Sequence, residues 1–226
     1  MKNLVAVIPA RGGSKGVPRK NIKLLDGNPL LKYSIDIGLK VFEDVYVSTE
    51  DAEIAMVARS LGAKVIDRPD LLSSDASTDV EWLAHAFKVL DCENIAILRP
   101  TTPLRDVKIV EQAVNKFNFH PECTSLRSAH EAPESPYKWF EKEYQKPYWK
   151  HNAMSDLPRQ AFPSMYIPNG YIDITRRAAV EAGTAFGDKI ISFITVPIVE
   201  IDTQAEFDYL EYLIGNNGSR SSETLT

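Results

Sequence analysis

Two groups of side chains in this sequence have types and spacings that could do chemistry. The first is Arg11, Lys15, Arg19, Lys20 and Lys23, five cations with no acid among residues 11 to 23. They occupy a glycine-rich stretch, Ala10-Arg11-Gly12-Gly13-Ser14-Lys15-Gly16, that directly follows the apolar run Leu4-Val5-Ala6-Val7-Ile8. Glycine lets backbone N–H groups approach an anion closely. Cations gathered in one loop of a chain with net charge −5 would concentrate a polyanion such as a nucleoside triphosphate. On charge alone a solvated basic turn fits equally well. The second group is Glu200 and Asp202, two residues apart after the apolar run 190–199. On a strand such a pair faces one side, and two hard oxygen ligands suit Mg²⁺. The competing role is capping of the next helix by Asp202 and Thr203.

The glycine spacing removes two common readings. Gly12, Gly13 and Gly16 do not form G-x-G-x-x-G, and Lys15 precedes Gly16 where a Walker A loop has Gly-Lys-Ser/Thr. A different phosphate loop is implied.

The elements that must position these groups follow from periodicity. Strands are expected at Leu4–Ile8, Asp44–Thr49, Ala63–Ile66, Asn94–Leu98, Cys123–Arg127 and Ile190–Val199, the last marked by Pro197 as an edge or a bulge. Helices are expected at Pro29–Leu39, Glu50–Leu61 (closed by Gly62), Val80–Leu90 (capped by Ser77, Thr78 or Asp79), Val107–Phe117 and Gln204–Ile214. Alternating strands and helices predict an α/β, doubly wound, mostly parallel sheet with right-handed crossovers. In such sheets ligands bind beyond the carboxyl ends of the strands, so Arg99-Pro100-Thr101-Thr102-Pro103-Leu104-Arg105 should face the same crevice as the first loop.

Length and composition set the bounds. A chain of 226 residues fits one α/β domain of ordinary size, here 1–214, with 215–226 as a flexible tail rich in Gly, Ser and Asn. No apolar run approaches membrane-spanning length, and the early Pro9 and Arg11 do not suit a signal peptide. Cys92 and Cys123 lie far apart without a Cys or His at the spacing of a zinc ligand set, so reduced thiols in the cytoplasm and no zinc site are expected. The acidic balance argues against nucleic-acid binding, and no membrane partner is expected. Residues 130–168 are rich in proline and aromatics, including Tyr137, Trp139, Phe140, Tyr144, Tyr148, Trp149, Phe162 and Tyr166. They read as an inserted subdomain that packs on a partner subunit, or as a lid packed on its own domain.

Ile8-Pro9-Ala10-Arg11-Gly12-Gly13-Ser14-Lys15-Gly16 with Lys20-Asn21 resembles the amino-terminal signature of the CMP-sialic acid synthetases, or acylneuraminate cytidylyltransferases. Pro100 to Arg105 resembles a second signature, Leu157-Pro158-Arg159-Gln160 a third and Pro168-Asn169-Gly170 a fourth, although Asn169-Gly170 on its own reads as a hairpin turn. The resemblance implies a Rossmann-like nucleotidyltransferase that couples CTP to a 2-keto-3-deoxy sugar acid. It implies a nucleotide site of Ala10, Arg11, Gly12, Ser14, Lys15, Asn21, Arg68 and Ser77, with Arg11, Lys15 and Asp202 catalytic. It further implies sugar contacts from Arg99, Thr101, Arg159, Gln160, Asn169 and Gly170, and Mg²⁺ held by Glu200 and Asp202. The insertion would then dimerise the chain and send Arg159 and Gln160 toward the neighbour's sugar. Two departures stand out: Arg99 replaces a usual glutamine, and Glu200 replaces an aspartate. Arg99 leaves sialic, legionaminic and pseudaminic acids open as substrates. A nucleotide-sugar glycosyltransferase or a non-catalytic nucleotide binder on the same fold is the competing class.

Overall fold

The computed structural model describes residues 2–139 and 156–220. In chain order these form β1 (Lys2–Pro9), β2 (Leu24–Leu25), β3 (Asn28–Pro29), α1 (Leu30–Val41), β4 (Val45–Thr49), α2 (Ala52–Ser60), β5 (Lys64–Asp67) and α3 (Asp79–Val89). There follow β6 (Cys92–Ile97), α4 (Val107–Asn118), β7 (Ser125–Glu131), β8 (Tyr166–Arg176), α5 (Arg177–Glu181), β9 (Ile190–Ile194) and α6 (Gln204–Arg220).

The central strands are apolar on both faces, and that dictates two helix layers. Along β1, Ala6 and Ile8 enter one core with residues of α1, α2 and α4, while Val5 and Val7 enter a second with α3 and α5. The seven-stranded sheet runs β5-β4-β1-β6-β8-β7-β9. β5, β4, β1 and β6 pair in parallel, β7 and β9 pair in parallel, and β8 runs antiparallel to both of its neighbours. The expected doubly wound, mostly parallel sheet is therefore present. A third, smaller core of Val17, Leu25, Leu30, Ile201, Phe207 and Leu210 joins the first loop and the β2–β3 hairpin to α6.

Three local expectations are corrected, and two elements are added. β9 stops at Ile194, so Glu200 and Asp202 lie in irregular chain and not on a strand. Asn169 and Gly170, which read locally as a hairpin turn, sit inside β8. Helix α6 continues past Ile214 to Arg220, where a tail was expected; residues 221–226 lie outside the described residues. The hairpin β2–β3 and the short α5 have no strong periodic signal.

Within the connection from β7 to β8, Tyr137 stacks on Phe162 with ring centroids 5.5 Å apart. Phe140, Tyr144, Tyr148 and Trp149 lie outside the described residues. No helix among the described residues is long and apolar enough to cross a membrane.

Candidate active site

The carboxyl ends of β1, β5 and β6 open on one cavity of about 270 Å³, as the topology requires. Arg11, Ser14, Asn21, Arg68, Ser77, Arg99 and Thr101 all line it, together with Lys20 and Asp79. Arg159 and Gln160 instead line a separate cavity of about 330 Å³ with Glu131, Ser135 and Phe162. The structure thus brings most of the nucleotide residues together with two of the sugar residues and leaves the Arg159 pair apart.

The first loop is fastened at both ends. The Ala10 N–H donates to the Ser48 carbonyl (3.0 Å), and Asn21 Nδ2 donates to the Arg11 carbonyl (2.9 Å). Asn21, expected to hold the nucleotide, is buried and fixes the path of the loop that would do so. The Gly12 N–H donates to Glu50 Oε1 at 2.7 Å. At Gly16 the reason for glycine is close approach: a Cβ there would lie 1.9 Å from the Asp202 carbonyl oxygen. Lys20 Nζ seals the same seam by donating to the Ile201 carbonyl (2.6 Å) and lies 3.4 Å from Asp202 Oδ1. The basic loop and the segment that carries the late carboxylates, far apart in sequence, are packed side by side.

Arg11 and Lys15 converge on a single carboxylate. Arg11 Nη2 lies 2.9 Å from Asp75 Oδ1 and Lys15 Nζ lies 2.5 Å from Asp75 Oδ2. Lys15 first, then Arg11, hold the Asp75 carboxyl below its usual range, although slight burial opposes them. Ser77 shapes the loop that carries Asp75: its Oγ donates to the Leu71 carbonyl (3.2 Å) and accepts the Ser74 N–H (3.1 Å).

Arg68 is buried beneath the cavity, where Nη2 donates to the Ser48 carbonyl (2.7 Å) and Nε to Ser48 Oγ (3.1 Å). Burial pushes its pKa down to about 10, so it stays cationic at neutral pH. Its guanidinium lies over the Trp82 ring, 5.6 Å from the centroid.

Arg99 is held by Asp79, the first residue of α3, through Nη2 to Oδ2 (2.6 Å) and Nη1 to Oδ1 (3.3 Å). Burial alone would raise the Asp79 carboxyl; the bonds from Arg99 outweigh it and keep it below the usual range. Arg99 Nη2 is also 3.7 Å from buried Asp173. Both terminal nitrogens of Arg99 therefore face protein carboxylates, tying α3 on the nucleotide side to β8 on the other.

Gly170 and Asn169 form a bulge. The step from Arg127 to Ala129 in β7 is matched by the longer step from Asp173 to Pro168 in β8. Gly170 has φ +57°, in the left-handed region that glycine tolerates, and a Cβ there would come 3.2 Å from Glu200 Oε2 and 3.4 Å from Arg99 Cδ. The Asn169 side chain is fully buried and works inside the bulge: Nδ2 donates to Thr195 Oγ1 (2.7 Å) and Oδ1 accepts the Tyr171 N–H (3.3 Å).

Glu200 and Asp202 remain neighbours off the strand. Burial, and then the negative charge of Asp202, push the Glu200 carboxyl above its usual range. Two carboxylates crowding one another, with Asp202 beside the Lys20 that lines the cleft, are a donor set that a hard divalent cation would relieve, so these residues fit Mg²⁺. The helix is capped by Thr203 and not by the Asp202 side chain: Thr203 Oγ1 accepts the Glu206 N–H (3.3 Å), and Glu206 Oε2 accepts the N–H groups of Asp202 (2.8 Å) and Thr203 (2.7 Å).

Sequence reasoning passed over Glu50, Asp75 and Asp79 as partners. A carboxylate facing a cation across two loops has no local periodic signal, and only the fold reveals it.

A cytidylyltransferase family model matches residues 5–153. The N-acylneuraminate cytidylyltransferase of Escherichia coli O18:K1:H7 is 38% identical over 117 residues, covering 50% of this chain and 28% of that protein. The pseudaminic acid cytidylyltransferase of Campylobacter jejuni is 41% identical over 125 residues, 52% of this chain and 53% of its own length. The chain thus spans about half or less of these relatives. A solved CMP:2-keto-3-deoxy-manno-octonic acid synthetase in complex with CTP superimposes with a TM-score of 0.74 at 17% identity, covering 96% of this chain and 100% of that one. The strand order, the cation-lined cleft at the strand ends and the family match agree, and the chain belongs to the cytidylyltransferase family.

Proposed function

We propose that this chain transfers CMP from CTP to the anomeric hydroxyl of a nonulosonic acid, a 2-keto-3-deoxy sugar acid, and releases pyrophosphate. The observation that carries the reading is the seam at Gly16, where the basic loop meets the Glu200 and Asp202 segment beside the Arg99 and Gly170 surface. Arg11 and Lys15 neutralise the phosphates, Ser14 and the loop N–H groups orient them, and Arg68 and Ser77 shape the base side. Thr101 and Gly170 border the sugar, whose hydroxyl forms a bond to the α-phosphorus as the bond to the β-phosphate breaks. Such a step needs positioning and counter-charge more than covalent help from the protein. Mg²⁺ held by Glu200 and Asp202 would supply further counter-charge to the phosphates.

The insertion at 130–168 forms a homodimer in this reading, and Arg159 with Gln160 serves the neighbour's sugar; the guanidinium fork suits a carboxylate. The enzyme works in the cytoplasm. The test is pyrophosphate release with Mg²⁺ across nucleoside triphosphates and a panel of eight- and nine-carbon keto acids. Release is expected only for CTP with a nonulosonic acid, and none with any pair would defeat the proposal.

Two further results are expected. Asp75→Asn frees Arg11 and Lys15 from their competing carboxylate and should tighten CTP binding about fivefold, as one exposed ion pair allows; calorimetric titration with CTP checks this. Glu200 must be ionised to hold Mg²⁺, and its pKa is raised. Activity at limiting Mg²⁺ should therefore fall, as pH is lowered, at a higher pH than the ordinary glutamate value of about 4.3. Excess Mg²⁺ should move that limb to lower pH; a limb indifferent to Mg²⁺ would count against Glu200 as a ligand.

A further inference from the structure

The turn between α4 and β7 lies at the amino-terminal ends of the parallel strands, the opposite side of the sheet from the cleft. There His120 Nδ1 is 3.0 Å from Glu122 Oε1, and Cys123 Sγ is 3.8 Å from the same oxygen. All three potential ligand atoms lie within 4.8 Å of one another. We propose that His120, Glu122 and Cys123 form a binding site for a zinc-class divalent ion, with water completing the coordination.

Tetrahedral zinc with bonds of about 2.0–2.3 Å keeps its ligands roughly 3.3–3.8 Å apart, so small side-chain rotations suffice to close the site. Imidazole, thiolate and carboxylate together select a borderline ion of the zinc type over Mg²⁺ or Ca²⁺. Thiolate and carboxylate also balance the charge of a dication.

The backbone under the ligands is already set. The Cys123 N–H donates to the His120 carbonyl at 3.1 Å, closing the turn. Arg176 then donates from Nε to the Cys123 carbonyl (2.6 Å) and from Nη2 to the His120 carbonyl (3.2 Å). Its guanidinium lies 4.3 Å over the Phe117 ring, and Nη1 donates to Asn94 Oδ1 (3.2 Å). The charge of Arg176 is thus spent on carbonyl oxygens behind the turn, while the three ligand side chains project on the accessible side, with His120 and Glu122 exposed by 45% and 60%. The proposal runs against the expectation of no zinc site: His120 stands three residues before Cys123 with Glu122 between them, a short-range set that includes a carboxylate and lies outside the Cys and His spacings on which that expectation rests.

Co²⁺ provides the probe. The reduced full chain, titrated with Co²⁺, should develop one equivalent of thiolate-to-cobalt charge-transfer absorption and tetrahedral visible bands. The other thiol, Cys92, is buried in the core and cannot supply that signal. Cys123→Ser should abolish the charge-transfer band, and His120→Asn and Glu122→Gln should each weaken Co²⁺ binding at least about tenfold. Circular dichroism of each variant confirms the fold, and excess Mg²⁺ should leave the band in place. Absence of the band, its survival in Cys123→Ser, unchanged affinity in His120→Asn or Glu122→Gln, or displacement by Mg²⁺ would each overturn the proposal.

Discussion

Replacing Arg11 with alanine should lower kcat/KM for CTP about a thousandfold, the scale set by removing a cation or oxyanion donor from a transferring phosphoryl group. Arg11 lines the cleft beside Ser14 and Lys20. Its ion pair with Asp75 shows that the guanidinium can reach an anion above the loop. Stability should stay within about 1 kcal/mol of the parent, because the pair is exposed on both sides and solvent screens it. Steady-state kinetics with a matched urea titration separates the two effects. Near-normal turnover in a folded variant would remove Arg11 from the mechanism.

The second large effect is on folding. Arg105→Met should cost about 3–5 kcal/mol, the range for breaking a buried charged network from one side. Arg105 is almost wholly buried, and burial pushes its pKa down to about 9, which still leaves it charged at neutral pH. It holds three segments at once. Nε donates to the Tyr171 carbonyl (2.5 Å), Nη1 to Ser34 Oγ (3.0 Å) and to the Thr102 carbonyl, and Nη2 to the Arg99 (2.7 Å) and Gly170 (3.0 Å) carbonyls. Methionine would fill the volume and take this donor from the Thr102, Gly170 and Tyr171 carbonyls, while the Arg99 carbonyl keeps the Thr102 N–H (3.2 Å). In a chain of this size the loss corresponds to a fall in Tm of about 10 °C. Arg105→Lys should recover only part of it, since an ammonium lacks the fork that spans the loop and the bulge. A fall below about 1 kcal/mol for Arg105→Met would show that the three segments hold one another without it.

Much of this architecture is legible in the sequence because buried parallel strands advertise themselves. Val5, Ala6, Val7 and Ile8 form a continuous apolar run, and both faces of β1 are covered in the fold. β8 is harder to read, since Asn169-Gly170 has the local chemistry of a turn, and only pairing with β7 and β6 makes it strand. The end of β9 is hard to read for a related reason: Thr195 to Val199 stays apolar in part, but the pairing with β7 ends at Ile194 opposite Ala129. In the site, the cations of the first loop stand out by local charge. Their carboxylate partners do not, because Asp75 and Asp79 look like ordinary turn and cap residues until the loops face each other.

The seam at Gly16 and Lys20 also fixes an order of events during synthesis. Lys20 waits for a carbonyl 181 residues later in the chain, and Gly16 for the backbone at Asp202. A ribosome adding about 5–20 residues per second needs on the order of ten seconds or more to cover that distance. Throughout that interval β1 can pair with β4, while the loop after it lacks the wall against which it is shaped. A nascent chain arrested before Ile201 should therefore hold a sheet while the loop after β1 still lacks its wall, so the nucleotide proposed to bind there would arrive too late to guide early folding.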